Sequence, residues 1–68
     1  MKYMKVKDLV IDMNSIVAAY TENYVDDYRI KFLLNDQVMH DICFDSIIER
    51  DHVFEVICAK LNAWEVMV

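Results

Sequence analysis

The chain contains no glycine and no proline among its 68 residues. Every reversal must therefore be made by residues that carry a Cβ, and the usual breakers cannot end a helix or a strand. Asn, Asp and Ser tolerate turn and left-handed geometry best, because their short polar side chains bond the local backbone. They punctuate the sequence at Asn14-Ser15, Asn23 with Asp26-Asp27, Asn35-Asp36 and Asp45-Ser46. No linker, repeat or low-complexity tract interrupts these segments, so residues 1–68 read as a single domain. The same absence removes any glycine-rich loop of the kind that cradles phosphate.

Residues 28–44 form the clearest unit. Tyr28, Ile30, Phe32 and Leu34 alternate with Arg29, Lys31 and Leu33, while Val38, Ile42 and Phe44 alternate with Met39, Asp41 and Cys43. Period 2 on both sides of Asn35-Asp36 predicts a β-hairpin. A two-residue loop would pair Ile30 with Asp41 and place a charge on the apolar face. A three-residue loop, Asn35 to Gln37, pairs Leu34 with Val38, Ile30 with Ile42 and Tyr28 with Phe44, and sets Lys31 opposite Asp41 on the other face. A slip of one residue inverts every side chain, so the second register is expected.

A helix should follow. Ser46 with Glu49 three residues later is a capping-box pattern placed where the strand ends. Phe54, Ile57, Cys58 and Leu61 recur at helical spacing, Ile47 extends the stripe backwards, and Val53, Val56, Ala63 and Trp64 widen it. The expected span is about 46 to 64, with Glu49, Asp51, Glu55 and Lys60 on the polar side; Asp51 could instead cap a shorter helix. Residues 5–22 fit a helical period through Val6, Leu9, Val10, Met13, Ile16, Val17 and Tyr20. They are also rich in Val and Ile and broken by Asn14-Ser15. Two strands, 9–13 and 16–22, are favoured over a helix because a lone hairpin makes too small a sheet. The expected fold is α+β: an antiparallel sheet of three to four strands packed by one C-terminal helix.

Apolar residues make up 57% of the chain, more than one layer of helix on sheet can hide at this size. A homo-oligomer, in the first place a dimer, or a covering partner is expected. Twelve acidic residues against seven basic give a formal charge of −5, which speaks against nucleic-acid binding. An acidic surface serves solubility or meets a basic site on another protein. Two cysteines do not make a disulfide scaffold, no apolar run reaches membrane-spanning length, and MKYMKVKDLV lacks the apolar stretch of a signal peptide. A cytoplasmic protein is expected.

Few residues invite chemistry. His40 and Cys43 have an H-x-x-C spacing, but residues three apart on a strand face opposite ways and do not share a metal ion. Cys43 lies on the hairpin side away from the helix and Cys58 on the helix stripe, so both read as small hydrophobes and not as a bridge. Nothing places His40 or His52 beside a thiol with an orienting group, and a single thin layer rarely encloses a pocket. No catalytic residues, metal or cofactor are assigned, and the chain is read as a non-enzyme. The remaining candidates are an acidic set for a partner (Asp26, Asp27, Asp36, Asp41, Asp45 and Glu49) and Leu33, Met39, Trp64 and Met67 as oligomer contacts. Turn formation and capping account for the acids as well, and core packing for Trp64.

The run from Tyr28 to Asp36, then Ile42 to Ser46, Glu49-Arg50-Asp51 and Phe54-x-x-Ile57-x-x-x-Leu61 resembles the small β-meander-plus-helix proteins of bacterial and phage genomes. More distantly, the strand, Asn-Asp turn, strand and helix ending in Asn62-Ala63-Trp64 resemble small acidic phage anti-CRISPR proteins that inhibit Cas9. In those, carboxylates occupy the basic site that reads the protospacer-adjacent motif. The resemblance implies a non-enzymatic inhibitor that covers a site on a host defence nuclease. A homo-oligomeric structural or assembly protein is the alternative, and an oligomer sequestering a ligand between subunits is a third.

Overall fold

A computed structural model describes residues 2–61. Five strands and one helix follow one another: β1 (Tyr3–Val6), β2 (Leu9–Asp12), a 3-10 turn (Met13–Ser15), β3 (Ile16–Tyr24), β4 (Asp27–Leu34), β5 (Met39–Phe44) and α1 (Ile47–Lys60). The fold is α+β, and its strands form two antiparallel sheets, β1-β2 and β3-β4-β5. The expected sheet is thus divided: β2 pairs with β1 instead of extending the three-stranded sheet. Strands Leu9–Asp12 and Ile16–Tyr24 stand where strands 9–13 and 16–22 were favoured over a helix, with the 3-10 turn at Asn14-Ser15 between them. Asp12 closes that turn, its carboxylate accepting from the Asn14 amide at 3.0 Å and from the Ser15 hydroxyl at 3.3 Å.

The β4–β5 hairpin has the three-residue register: Ile30 pairs with Ile42, Tyr28 with Phe44 and Lys31 with Asp41. The Leu34 amide donates to the Val38 carbonyl at 3.0 Å and closes the loop. Gln37 takes the left-handed position that such loops reserve for glycine, with φ 67°. Two other non-glycine residues share this conformation, Lys7 at 53° and Asp26 at 56°. A chain without glycine accepts a cost of about 1–2 kcal/mol at each.

β1 was not expected. Its alternation is short, with Met4 and Val6 buried and Tyr3 and Lys5 exposed, and its two-residue turn is Lys7-Asp8, lacking the Asn or Gly that marks such turns. One core unites the parts. Met4, Val6 and Ile11 from the β1–β2 hairpin join Ile30, Phe32, Ile42 and Phe44 from the sheet and Ile57 from the helix. The helix and the hairpin together cover the inner face of the three-stranded sheet; the outer face carries no element among the described residues.

The helix begins where the capping pattern placed it, Ser46 Oγ accepting from the Glu49 amide at 3.3 Å. Its buried line differs from the expected stripe. Ile57 is buried and Val53, Phe54, Cys58 and Leu61 half-buried, but the line continues back to Arg50, while Ile47 is exposed. Cys43, read as a small buried hydrophobe, is exposed; it lies on the outer face, opposite Arg29.

Candidate functional site

Strand register brings four of the six candidate acids to one end of the molecule. Asp26 sits in the β3–β4 turn and Asp27 opens β4; Tyr28 pairs with Phe44, so Asp45 follows on the neighbouring strand, and Glu49 lies one helical turn further. The side chains of Asp26, Asp45 and Glu49 have no hydrogen bond or ion pair among the described residues. Two aliphatic side chains next to these acids in sequence stand in water, Val25 at 92% exposure and Ile48 at 80%.

Arg50 holds this end together. It is 3% exposed, and its Nη1 donates to the Asn23 side-chain oxygen at 2.7 Å and to the Glu22 carbonyl at 3.1 Å. Nε donates to Asp51 at 2.8 Å, and the guanidinium lies 5.9 Å from the centre of the Tyr28 ring. A buried guanidinium must have partners for its donors, and these partners tie the first turn of the helix to the end of β3. Apolar periodicity could not reveal it, since Arg interrupts the stripe; its place at stripe spacing from Phe54 and Ile57 was the available signal.

The other candidates lie elsewhere. Asp36 is in the β4–β5 loop, about 25 Å along the sheet from Asp27, and accepts from the Val38 amide at 3.1 Å. Asp41 is on the outer face within a connected charge network. Arg29 binds Asp27 at 2.7 Å and Asp41 at 3.1 Å; Lys31 approaches Glu22 at 3.5 Å and Asp41 at 3.6 Å. Arg29 also stacks 4.9 Å over the Tyr24 ring, whose hydroxyl donates to Glu22. Arg29 holds the Asp27 carboxyl below the usual carboxylate range. The same bond, joined by the one to Asp41, raises the guanidinium despite desolvation. For Lys31 desolvation lowers the pKa, but Asp41 and Glu22 more than offset it. The bond to Glu22 raises the Tyr24 phenol. Asp27 and Asp41 are therefore already matched by cations, and three free acids remain at the end.

Leu33 and Met39, expected as oligomer contacts, pair across β4 and β5 on the outer face; the Tyr20 hydroxyl lies 3.9 Å from the Met39 sulfur. Trp64 and Met67 lie outside the described residues.

The fold does form concavities. A cleft of about 330 Å³ opens between β1 and α1, floored by Met4, Val6, Phe44, Val53 and Ile57 and rimmed by Lys5, Lys7, Lys60, Glu49 and His52. It arises because the β1–β2 hairpin packs beside the helix, an element the sequence did not announce. His40 faces inward opposite Phe32, Cys43 outward opposite Arg29, and both cysteines are free. Among the described residues no three His, Cys, Asp or Glu side chains converge to hold a metal ion, and no helix is long and apolar enough to cross a membrane. No family model matches the chain, and no curated protein or solved structure is significantly similar to it.

Proposed function

We propose that this chain is a non-enzymatic protein-binding module that docks its acidic end onto a basic site of another protein. The observation that supports this is the exposure of Val25 and Ile48 at the end of the molecule that also carries the unpartnered carboxylates of Asp26, Asp45 and Glu49. An apolar centre ringed by charge is how protein interfaces divide affinity from specificity. Arg50 supports the reading, because it presents the turn and the helix start as one rigid surface before any partner arrives.

The concrete version is inhibition of a phage-defence nuclease such as Cas9, whose motif-reading site is basic. Size-exclusion chromatography of the chain with a panel of Cas9 proteins tests it. The expected result is a complex with at least one, lost in the triple variant Asp26→Lys, Asp45→Lys, Glu49→Lys and competed away by duplex DNA carrying the motif. A complex that survives the triple variant would remove the acidic end from the reading. No complex with any of them would remove the nuclease.

A further inference from the structure

We infer that two copies of this chain join antiparallel along the free edge of β3, making one continuous six-stranded sheet from two three-stranded ones. This does not rest on the partner proposed for the acidic end.

The two edges of the three-stranded sheet are treated differently. On β5, the Lys7-Asp8 turn stands against the strand: Lys7 Nζ donates to the Cys43 carbonyl at 2.6 Å and lies 4.2 Å from the centre of the Phe44 ring, and Val6 to Leu9 face Asp41 to Cys43 across a shallow cleft. β3 receives one comparable bond, from Arg50 Nη1 to the Glu22 carbonyl near its end, and no other strand pairs along its free side among the described residues. It is the longest strand, nine residues, and pairs only with β4. Alternate residues of an edge strand point their amide and carbonyl away from the sheet, and no strand among the described residues meets those of β3.

Edges that must stay single usually carry lysine, proline or an inward charge. β3 reads IVAAYTENY and has none of these. Its one charge, Glu22, is already engaged by Lys31 and Tyr24. The irregularity between Ile16 and Ala18 disturbs one end only. Towards the inner face the strand offers Ala19, Thr21 and Asn23; Thr21 and Asn23 are exposed, although Arg50 of the helix reaches the Asn23 side chain.

A row of unpaired backbone groups is satisfied by another strand, and β3 is complementary to itself. A register centred on Tyr20 pairs the regular stretch Ala18 to Glu22, sets Glu22 opposite Ala18 and Ala19 opposite Thr21, and opposes no like charges. Over Ala18 to Glu22 each pair keeps its face, so both helices lie on one side of the joined sheet and the outer faces merge; beyond that stretch the irregularity leaves Ile16 on the inner face and Tyr24 on the outer one. Val17, Tyr20 and Tyr24, exposed at 64%, 38% and 46%, then flank the seam.

Sedimentation equilibrium on the intact chain and three variants tests the inference. Thr21→Pro places proline in the free edge, and Tyr20→Lys and Tyr20→Glu put like charges face to face at the centre. The wild type should be dimeric, and each variant should weaken the dimer at least about tenfold while its amide NMR spectrum stays that of the folded chain. An equimolar mixture of the two Tyr20 variants should re-form the dimer, since the self-paired position then joins opposite charges. Tyr20 is on the exposed face, so this pair keeps the test open if Thr21→Pro fails to fold. A wild type that stays monomeric at about 1 mM, or a dimer indifferent to the variants, overturns the edge pairing. Variants that dissociate but do not re-form on mixing overturn the register.

Discussion

Arg50 in the first turn of α1 donates a 2.7 Å hydrogen bond to the side chain of Asn23 at the end of β3, 27 residues earlier in the chain. The charge is almost fully buried, and its other donors reach the Glu22 carbonyl and Asp51. Arg50→Ala should cost about 3 kcal/mol, chiefly by leaving Asn23 and the Glu22 carbonyl short of a donor. For a chain of this size that is a large part of a total of about 3–10 kcal/mol. Asn23→Ala should cost about half as much, because the Glu22 carbonyl still serves Arg50. Urea unfolding followed by circular dichroism separates the two; equal midpoints for Arg50→Ala and wild type would show that the tie carries no stability.

Gln37→Gly should stabilise the chain by about 0.5–1 kcal/mol, since the side chain is exposed and the backbone φ of 67° costs a residue with a Cβ. Lys7→Gly removes similar strain but also the bond to the Cys43 carbonyl and the contact with the Phe44 ring, so its gain should be smaller or absent. Thermal midpoints of the two variants, measured side by side, give the ranking. A lower midpoint for Gln37→Gly than for wild type contradicts the loop assignment.

The β1–β2 hairpin shares its core with the sheet, so it should not unfold by itself. Met4→Ala, at a residue 4% exposed, should cost about 2–4 kcal/mol. The loss should appear as one cooperative transition shifted to lower urea. A separate early transition, with the rest of the chain unmoved, would mean that the hairpin is an independent unit.

The outer face should confine stability to a window of pH. Asp27 is held low by Arg29, so its contribution is complete above the ordinary aspartate range and is lost as pH falls through the depressed value. Lys31 and Tyr24 are raised, so theirs is present below their ordinary ranges and is lost as pH climbs through the raised values. Asp27→Asn should flatten the acid limb of a melting-temperature profile, and Tyr24→Phe the alkaline limb. Both effects should shrink in about 1 M salt, since these groups face solvent. An acid limb unchanged by Asp27→Asn would assign it to other carboxylates.

Much of the architecture is legible without coordinates. The β4–β5 register follows from putting Asp41 on one face and Ile42 on the other, and Ser46 with Glu49 locates the helix start. These are local decisions, made by alternation and capping within a few residues. β1 escaped because its four residues are too few for periodicity to stand out, and because Lys7-Asp8 is not turn chemistry that a sequence pattern signals. Of the candidate site, the acids were visible but their grouping was not. Asp36 and Asp26 look alike in the sequence and lie at opposite ends of β4.

The absence of glycine and proline, the hairpin register and the helix cap were determined by the sequence itself, since each depends on neighbours along the chain. The tertiary structure alone decided that Arg50 is buried, that Asp27 and Asp41 are matched by Arg29 and Lys31 while Asp26, Asp45 and Glu49 are not, and that β5 is shielded while β3 is open. The reason is physical: desolvation, ion pairing and edge exposure depend on which segments meet in space, and those meetings join residues far apart in sequence.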